Sequence, residues 1–274
     1  MKGSMNMSKI GCIGTGNMGG ALARAIGKSG HEVYLSDYSR QKAQEVALDI
    51  GKNARVSDNK EIAAECDMIL LGVKPQMLAA LATELSPLLS ARKTRVCLVS
   101  MAAGISLSRL AELFGTDASV IRIMPNIPVC VGAGVILFTA NAHVSEGDKA
   151  LFGEALRFAG TVDELAEGLF DAASALSGCG PAFVCLFTEA LADGAVRCGL
   201  PRDKALRYAA ETLKGTALLL EQSGKHPGTV KDEVCSPGGS TIEGVAALEE
   251  GGFRALAMDA VTAAYERTME LGKK

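Results

Sequence analysis

The sequence is poor in histidine, the commonest metal ligand, and in aromatic residues. Its 274 residues include no tryptophan, 4% aromatic residues and three histidines. His31, His143 and His226 lie far apart, without the short intervals that characterise zinc and iron ligands. We therefore expect no metal centre.

Positive charge is also sparse. The formal net charge is -3, the sequence pI is about 5.7, and lysine and arginine form no extended basic run. Proteins that bind nucleic acids or anionic membranes usually carry such a run or patch. The composition therefore argues against both kinds of partner.

Apolar segments that could cross a membrane are interrupted. Two uncharged stretches, residues 123–145 and 172–188, are broken by prolines and glycines, the second at the sequence SGCGP. The first residues, MKGSMNM, lack the apolar core of a signal peptide. Eight cysteines include no C-x-x-C pair, which is typical of a reducing compartment. We expect a cytoplasmic protein without a membrane partner.

The first 164 residues alternate short apolar runs with helical patterns. The runs are KIGCIG, EVYLSD, ARVS, MILLGV, RVCLVSM, SVIRIMP and GVILFTA. Runs that are continuously apolar, rather than alternating, indicate parallel strands covered on both faces. We predict an α/β fold with an N-terminal Rossmann-like, doubly wound sheet over residues 1–164.

The remaining residues, 165–274, show only helical periodicity rich in alanine and leucine. Long apolar helices are predicted at residues 181–198 and 201–222. They carry more apolar surface than about a hundred residues can bury alone. We therefore predict an all-helical C-terminal domain that forms an oligomer interface.

A glycine-rich motif joins the first strand to the first helix. The sequence IGCIGTGNMGGA places Gly14, Gly16 and Gly19 as G-x-G-x-x-G, the fingerprint of dinucleotide binding. The next strand ends at Asp37, the position of a carboxylate that binds an unphosphorylated ribose. Arg40 and the nearby Lys42 are instead suited to a 2′-phosphate, so NADH and NADPH both remain open.

Four other strand ends carry residues suited to the rest of a dinucleotide. In a doubly wound sheet the ligand lies beyond the carboxyl ends of the strands. Taken singly, each of these segments is more typical of a turn than of a site, but the fold gathers them at one edge. The candidates are Asn59, Val73-Lys74-Pro75, Ala102 and Asn126.

The sequence DEVCSPGGSTIEG predicts a second anion site. A Pro-Gly-Gly turn leads into a helix, and Ser240 with Glu243 has the spacing of a capping box. We expect the N–H groups of Gly238 and Gly239 to point outward toward a small carboxylate. Taken alone, the loop is equally consistent with serines that only cap helices and glycines that only turn the chain.

The residues near this loop limit its chemistry. Neither SPGGSTIEG nor SGCGP contains the histidine or lysine that an alcohol dehydrogenase uses to move a hydroxyl proton. An imine needs less assistance, because its C=N nitrogen is basic enough to be protonated by solvent. The loops therefore favour an imine substrate.

Six motifs together are similar to those of the pyrroline-5-carboxylate reductase family. They are GxGxMG, VKPQ, SMAAGI, RIMPNIP, DAASALSGCGPAF and DEVCSPGGSTIEG, in the family's order over about residues 10–271. The resemblance implies NAD(P)H-dependent reduction of 1-pyrroline-5-carboxylate to L-proline, the final step of proline biosynthesis. It also implies a helical domain that dimerises, with dimers often associating into rings.

The resemblance further implies roles for individual residues. The family's threonine that donates a hydrogen bond to the ring nitrogen corresponds to Thr241. The substrate-binding residues correspond to Ser177, Gly178, Cys179, Gly180, Ser236, Gly238, Gly239 and Ser240. The cofactor-binding residues correspond to Gly14, Thr15, Gly16, Asn17, Met18, Gly19, Asp37, Arg40, Asn59, Val73, Lys74, Pro75, Ala102 and Asn126.

Two residues of these motifs depart from the family's usual pattern. Cys179 and Ser240 replace the family's usual serine and threonine, and both retain small polar side chains.

Three other functions fit parts of the sequence. A β-hydroxyacid dehydrogenase would carry a lysine on the first long helix of the second domain, but residues 171–198 contain none. A non-enzymatic NAD(P) sensor would have no use for the second anion site. A cysteine-based redox protein would require a reactive thiol at Cys179.

Overall fold

An eight-stranded sheet organises the first part of the chain. The computed structural model describes residues 7–272, and the strands lie in the order β3-β2-β1-β4-β5-β6-β7-β8. The strands are β1 Lys9–Ile13, β2 Glu32–Ser36, β3 Ala54–Val56, β4 Met68–Leu71, β5 Cys97–Ser100, β6 Ser119–Pro125, β7 Gly134–Ala140 and β8 Gly160–Glu164.

All neighbouring strands pair in parallel except β6 and β7. A single 3-10 turn, Ile127–Val131, joins these two strands, which leaves no room for the crossover helix that a parallel pair requires. Strand β8 was not predicted from the sequence. Its residues, GTVDE, are mostly exposed at the sheet edge and therefore form no apolar run.

Twelve α-helices accompany the sheet and form the second half of the described chain. They are α1 Asn17–Ser29, α2 Arg40–Ile50, α3 Asn59–Glu65, α4 Pro75–Ser90, α5 Leu107–Phe114, α6 Glu146–Leu156, α7 Phe170–Ser177, α8 Gly180–Arg197, α9 Arg202–Ser223, α10 Pro227–Val234, α11 Ser240–Glu250 and α12 Phe253–Gly272. The prediction of an α/β part followed by a helical part is confirmed.

Two separate cores cover the two faces of the sheet. Successive residues of β4 point to opposite faces of the sheet, because Met68 contributes to one core and Ile69 to the other. Helices α1, α2 and α6 bury side chains in the first core, and α3, α4 and α5 in the second. Strands such as β1 and β4 are continuously apolar because both of their faces are buried.

The chain divides into two compact units. One comprises the described residues up to Gly178 together with those from Arg267 onward, and the other is Cys179–Glu266. The second unit has a small core around Ala192, Ala205 and Ala209. Many of its larger apolar side chains are exposed, among them Leu186, Leu219 and Leu256. This pattern is typical of a helical unit that packs against another subunit.

The stretch Glu167–Arg197 is, among the described helices, the one long and apolar enough to cross a membrane by length and composition. It is interrupted at Gly178 and Cys179, where α7 ends and α8 begins. Apolar helices at subunit interfaces meet the same criterion, so the composition of this stretch is weak evidence for a membrane span.

Candidate active site

The carboxyl ends of four parallel strands meet at one edge of the sheet. Ile13, the last residue of β1, is in register with Ser36 and Leu71, and Leu71 is in register with Ser100. Strand β6 extends three residues further, to Pro125. The structure therefore gathers the predicted cofactor residues of the first unit at this edge, as the doubly wound topology requires.

The glycine-rich turn is shaped for close approach by a ligand. Gly14 has φ +98°, and a Cβ there would lie 2.5 Å from the carbonyl oxygen of Gly72. A Cβ on Gly19 would lie 2.0 Å from the carbonyl oxygen of Gly14, whereas one on Gly16 would meet nothing within 4 Å. Gly14 and Gly19 thus keep the turn tight, and exposed Gly16 leaves open space above it.

The same turn begins α1 without any side chain that competes for its N–H groups. Gly16 is the N-cap, makes no side-chain cap, and no acidic residue lies in the first turn of the helix. Exposed Asn17 and half-buried Met18 are its first residues. The free N–H groups and the helix dipole favour an anion, so this turn fits a pyrophosphate.

Asp37 is bound to the turn rather than projecting freely from the sheet. Its Oδ2 accepts hydrogen bonds from the backbone N–H of Thr15 at 2.7 Å and from Thr15 Oγ1 at 3.1 Å. Its Oδ1 accepts from the N–H of Ser39 at 2.9 Å. The carboxylate therefore fixes the loop that begins α2. Arg40, the first residue of that helix, is exposed and forms no ion pair with other described residues.

Cys12 contacts the glycine-rich turn through its buried thiol. Its Sγ lies 3.5 Å from the carbonyl oxygens of both Gly14 and Gly19, to which the thiol donates weakly. Burial, with a smaller contribution from the negative charge of Asp37, raises the pKa of the Cys12 thiol to about 12. The group therefore stays protonated and acts as a small buried donor.

The predicted ribose residues follow β3 and β4. Asn59 begins α3; its Oδ1 accepts from Ser36 Oγ at 2.7 Å, and its Nδ2 donates to the carboxylate of Glu84 at 3.1 and 3.2 Å. Lys74 and Pro75 are exposed at the start of α4, and Val73 before them is half-buried. Asn59 thus has a fixed orientation, whereas the Lys74 side chain is exposed to solvent.

The two remaining candidates of the first unit are buried. Ala102 is 4% exposed, and its N–H lies 3.4 Å from Ser100 Oγ. Asn126 is 8% exposed, and both ends of its amide bond to the backbone. Its Nδ2 donates to the carbonyl oxygen of Ser177 at 2.9 Å, and its Oδ1 accepts from the N–H of Val135 at 2.9 Å.

Sequence reasoning did not single out a buried ion pair close to these residues. Arg122, in the middle of β6, donates from Nη1 to Glu167 Oε1 at 2.8 Å, and the same oxygen accepts from the N–H of Leu107 at 2.8 Å. The Arg122 guanidinium also lies over the ring of Phe170, 4.8 Å from its centroid. The signal was present as a single arginine within the apolar run SVIRIMP.

The motif SGCGP forms the junction of α7 and α8. Ser177 Oγ donates to the carbonyl oxygen of Ala173 at 2.9 Å, and the N–H of Gly178 donates to the carbonyl oxygen of Ser174 at 2.8 Å. Cys179 is half-buried and is the N-cap of α8 without a side-chain cap, and Gly180 is the first residue of that helix. The N-terminus of α8 therefore has no hydroxyl or carboxylate cap.

The capping box predicted at Ser240 and Glu243 is wrong. Gly238 has φ +65°, Gly239 is the N-cap in an extended conformation, and α11 begins at Ser240 with no side-chain cap. The N–H of Gly239 donates to the carbonyl oxygen of Ser236 at 3.0 Å, so it does not point outward. The glycine pair turns sharply enough to start the helix one residue earlier than a serine cap would.

This correction leaves the start of α11 open. Ser236, Ser240 and Thr241 are exposed, and none of their hydroxyls bonds to another residue within 7–272. Gly238 is also exposed, and its N–H makes no turn bond among those residues. Hydroxyls and backbone N–H groups thus converge on a helix N-terminus of positive dipole, which suits a carboxylate.

Two family models match the chain. One, described as pyrroline-5-carboxylate reductase dimerisation, matches residues 167–271. The other, described as NADP oxidoreductase, coenzyme F420-dependent, matches residues 9–104. The two matches cover the helical part and the glycine-rich part of the sheet, respectively.

Whole-chain similarity extends to proteins from distant organisms. Pyrroline-5-carboxylate reductase of Arabidopsis thaliana is 41% identical over 97% of this chain and 96% of that protein. The enzyme of the same name from Escherichia coli strain K12 is 39% identical over 97% and 98%. The crystal structure of Plasmodium falciparum pyrroline carboxylate reductase with NADP bound is 32% identical, covers 98% of this chain and 100% of that one, and has a TM-score of 0.83.

Proposed function

Since the chain belongs to the pyrroline-5-carboxylate reductase family, we propose which of its residues carry the family's reaction. The protein is an NAD(P)H-dependent oxidoreductase that reduces the imine 1-pyrroline-5-carboxylate to L-proline, the final step of proline biosynthesis. The observation that carries the residue assignment is the uncapped start of α11, which offers hydroxyls and N–H groups, with Glu243 as the acidic residue of its first turn.

The cofactor residues lie along the sheet edge. Gly14 to Gly19, with Thr15 facing Asp37, hold the pyrophosphate through the free N–H groups of α1. Asn59 and Val73-Lys74-Pro75 border the ribose, and Ala102 borders the nicotinamide. Asn126 is assigned no direct cofactor contact, because both ends of its amide already bond to the backbone. When bound, NAD(P)H supplies the hydride. The open space over Gly16 supports this assignment, because any side chain there would occupy it.

NADPH is the preferred cofactor in this proposal. A carboxylate that selects NADH accepts from the ribose hydroxyls, whereas both oxygens of Asp37 already accept hydrogen bonds from Thr15 and Ser39. Arg40 and Lys42 stand at the start of α2 and make no ion pair with other described residues. A 2′-phosphate would provide an anionic partner for these two cations.

One group of proposed substrate residues lies at the start of α11. Ser236, Gly238 and Ser240 bind the carboxylate of the imine through hydroxyl and N–H groups, with Gly239 fixing the turn. Thr241 Oγ1 forms a hydrogen bond with the ring nitrogen and orients the C=N bond. Ser177, Gly178, Cys179 and Gly180 are retained as the other proposed substrate-binding residues. The Thr241 hydroxyl donates to the lone pair of a neutral imine and accepts from the N–H of a protonated one, so the site supplies orientation rather than a strong acid.

The direct test is reduction of DL-pyrroline-5-carboxylate with NADPH and NADH in parallel. Loss of the reduced-nicotinamide absorbance, matched by formation of L-proline, is expected, and it should be faster with NADPH. A faster rate with NADH would contradict the cofactor proposal. Tight cofactor binding without proline formation would contradict the substrate-binding roles proposed for the residues at the start of α11.

The protein forms a homo-oligomer through its dimerisation domain. We further propose that dimers associate into a ring and that the apolar stretch Glu167–Arg197 serves subunit contacts rather than a membrane. Exposed apolar side chains on α8, α9, α11 and α12 support this arrangement. We retain 1–164 and 165–274 as the domain boundaries. The eight free cysteines support a cytoplasmic location.

A further inference from the structure

We propose that strand β6, together with Asn126 directly after it, positions the substrate-binding Ser177-Gly178 segment by holding α7 at both of its ends. Under this proposal Asn126 is a positioning residue, which acts on the imine through the backbone of Ser177. The inference rests on the proposed role of residues 177–180 in holding the substrate.

The first contact holds the start of α7. Arg122 is buried in β6 and binds Glu167, three residues before the helix, through the 2.8 Å bond to Oε1. Its guanidinium covers the ring of Phe170, the first residue of α7, which is 1% exposed. A buried arginine with a carboxylate partner and an aromatic face has little freedom to move. The beginning of the helix is therefore fixed to the strand.

The second contact holds the end of α7. The last carbonyl groups of a helix have no partner within it, and the carbonyl oxygen of Ser177 accepts from Asn126 Nδ2. Asn126 cannot turn away, because its Oδ1 is held by the N–H of Val135 in β7. The amide thus ties the first residue of SGCGP to two neighbouring strands.

The distance between the two contacts along β6 is similar to the distance between them along α7. Arg122 and Asn126 are four residues apart in extended chain, which corresponds to about 13 Å and places both side chains on one face of the strand. Phe170 and Ser177 are seven residues apart in a helix, which corresponds to about 10.5 Å. One strand face can therefore hold both ends of α7, and this fixes where Ser177 lies along β6.

The chain supplies a matched control for Asn126. Asn141, at the end of β7, also donates through Nδ2 to a backbone carbonyl, that of Ala118 at 2.8 Å, and accepts through Oδ1 from the N–H of Val120 at 3.2 Å. It joins the same pair of strands at their other end. Replacing either asparagine by aspartate keeps the shape but sets a carboxylate oxygen against a carbonyl oxygen.

The experiment compares Asn126→Asp with Asn141→Asp in the full-length enzyme. We expect Asn126→Asp to raise the KM for the imine by about tenfold, because the Ser177 segment shifts, and to change the Kd for NADPH by less than about twofold. Asn141→Asp should leave the imine KM within about twofold of the wild type. An equal loss of NADPH affinity in Asn126→Asp would show direct cofactor contact and overturn the proposal.

Equal effects of the two substitutions on the imine KM would also overturn it, because the cause would then be a general loosening of the sheet. Should Asn126→Asp not fold, Glu167→Gln tests the other contact, since Glu167 is one-third exposed at its side chain. It should raise the imine KM by about threefold, and an unchanged KM would contradict the proposal. Failure of the wild-type enzyme to reduce the imine would instead refute the proposed function.

Discussion

At the scale of single residues, the hydroxyl of Thr241 is expected to matter for turnover rather than for cofactor binding. It is exposed at the start of α11 and bonds to no other described residue. Thr241→Ala removes the proposed hydrogen bond between the Thr241 hydroxyl and the ring nitrogen, so kcat should fall by about tenfold to a hundredfold.

Thr241→Ser is the matched control for this prediction, because it retains the hydroxyl and should retain most of the activity. The Kd for NADPH, measured by fluorescence titration, should stay within about twofold in both variants. A parallel loss of cofactor affinity in Thr241→Ala would contradict the assignment of this residue to the substrate.

Arg40 tests the cofactor proposal at the same scale. Arg40→Gln removes the cation proposed to face the 2′-phosphate, so the KM for NADPH should rise by about tenfold while the KM for NADH changes little. Arg109→Gln removes another exposed arginine, one paired with Glu112 on α5, and should affect neither KM. Equal effects of Arg40→Gln on both cofactors would argue against recognition of the phosphate.

At the scale of secondary-structure elements, two serines near helix starts have different roles. Ser145 forms a capping box with Asp148 at α6, whereas Ser240 is the first residue of α11 and caps nothing. Ser145→Ala should therefore lower the free energy of unfolding by about 1 kcal/mol. Ser240→Ala should leave that free energy unchanged within a few tenths of a kcal/mol and should raise the KM for the imine.

Urea unfolding at one fixed protein concentration, with steady-state kinetics on the same preparations, measures both effects. A loss of stability of about 1 kcal/mol in Ser240→Ala would mean that Ser240 caps α11 after all. An unchanged imine KM in that variant would count against its contact with the substrate carboxylate.

At the scale of the whole molecule, the exposed apolar side chains of the helical unit should hold the subunits together. Leu219 on α9 is 50% exposed, and Leu219→Glu would place a charge where we expect a second copy to pack. Burying an unpaired carboxylate costs several kcal/mol, so the oligomer should dissociate into smaller species.

Leu48→Glu, on α2 of the sheet unit, is the control, because Leu48 is 81% exposed in a part of the chain with no proposed interface. Light scattering after size-exclusion chromatography gives the mass of each variant. An unchanged mass for Leu219→Glu would place the interface elsewhere on the helical unit.

Much of the fold was predictable because its signals are local. The predicted apolar runs correspond to β1 to β7, and the helices predicted at residues 181–198 and 201–222 correspond to α8 and α9 within one residue at each end. Strand β8 was missed because an edge strand with one exposed face has no continuous apolar run. The antiparallel direction of β7 depends on the short turn after β6. It could not be predicted from the apolar pattern of β7, because that pattern resembles the pattern of the parallel strands.

The sequence by itself determined the α/β and helical parts, the glycine-rich turn and the family, because strand periodicity, glycine placement and motif order are properties of neighbouring residues. Only the tertiary structure decided that Asp37 contacts Thr15, Asn126 contacts Ser177 and Arg122 contacts Glu167, because these partners lie 22 to 51 positions apart along the chain. It also decided that Gly239 rather than Ser240 caps α11, since that choice depends on how the Gly-Gly turn closes onto Ser236. Contacts between distant residues form only when the chain folds, so no local pattern records them.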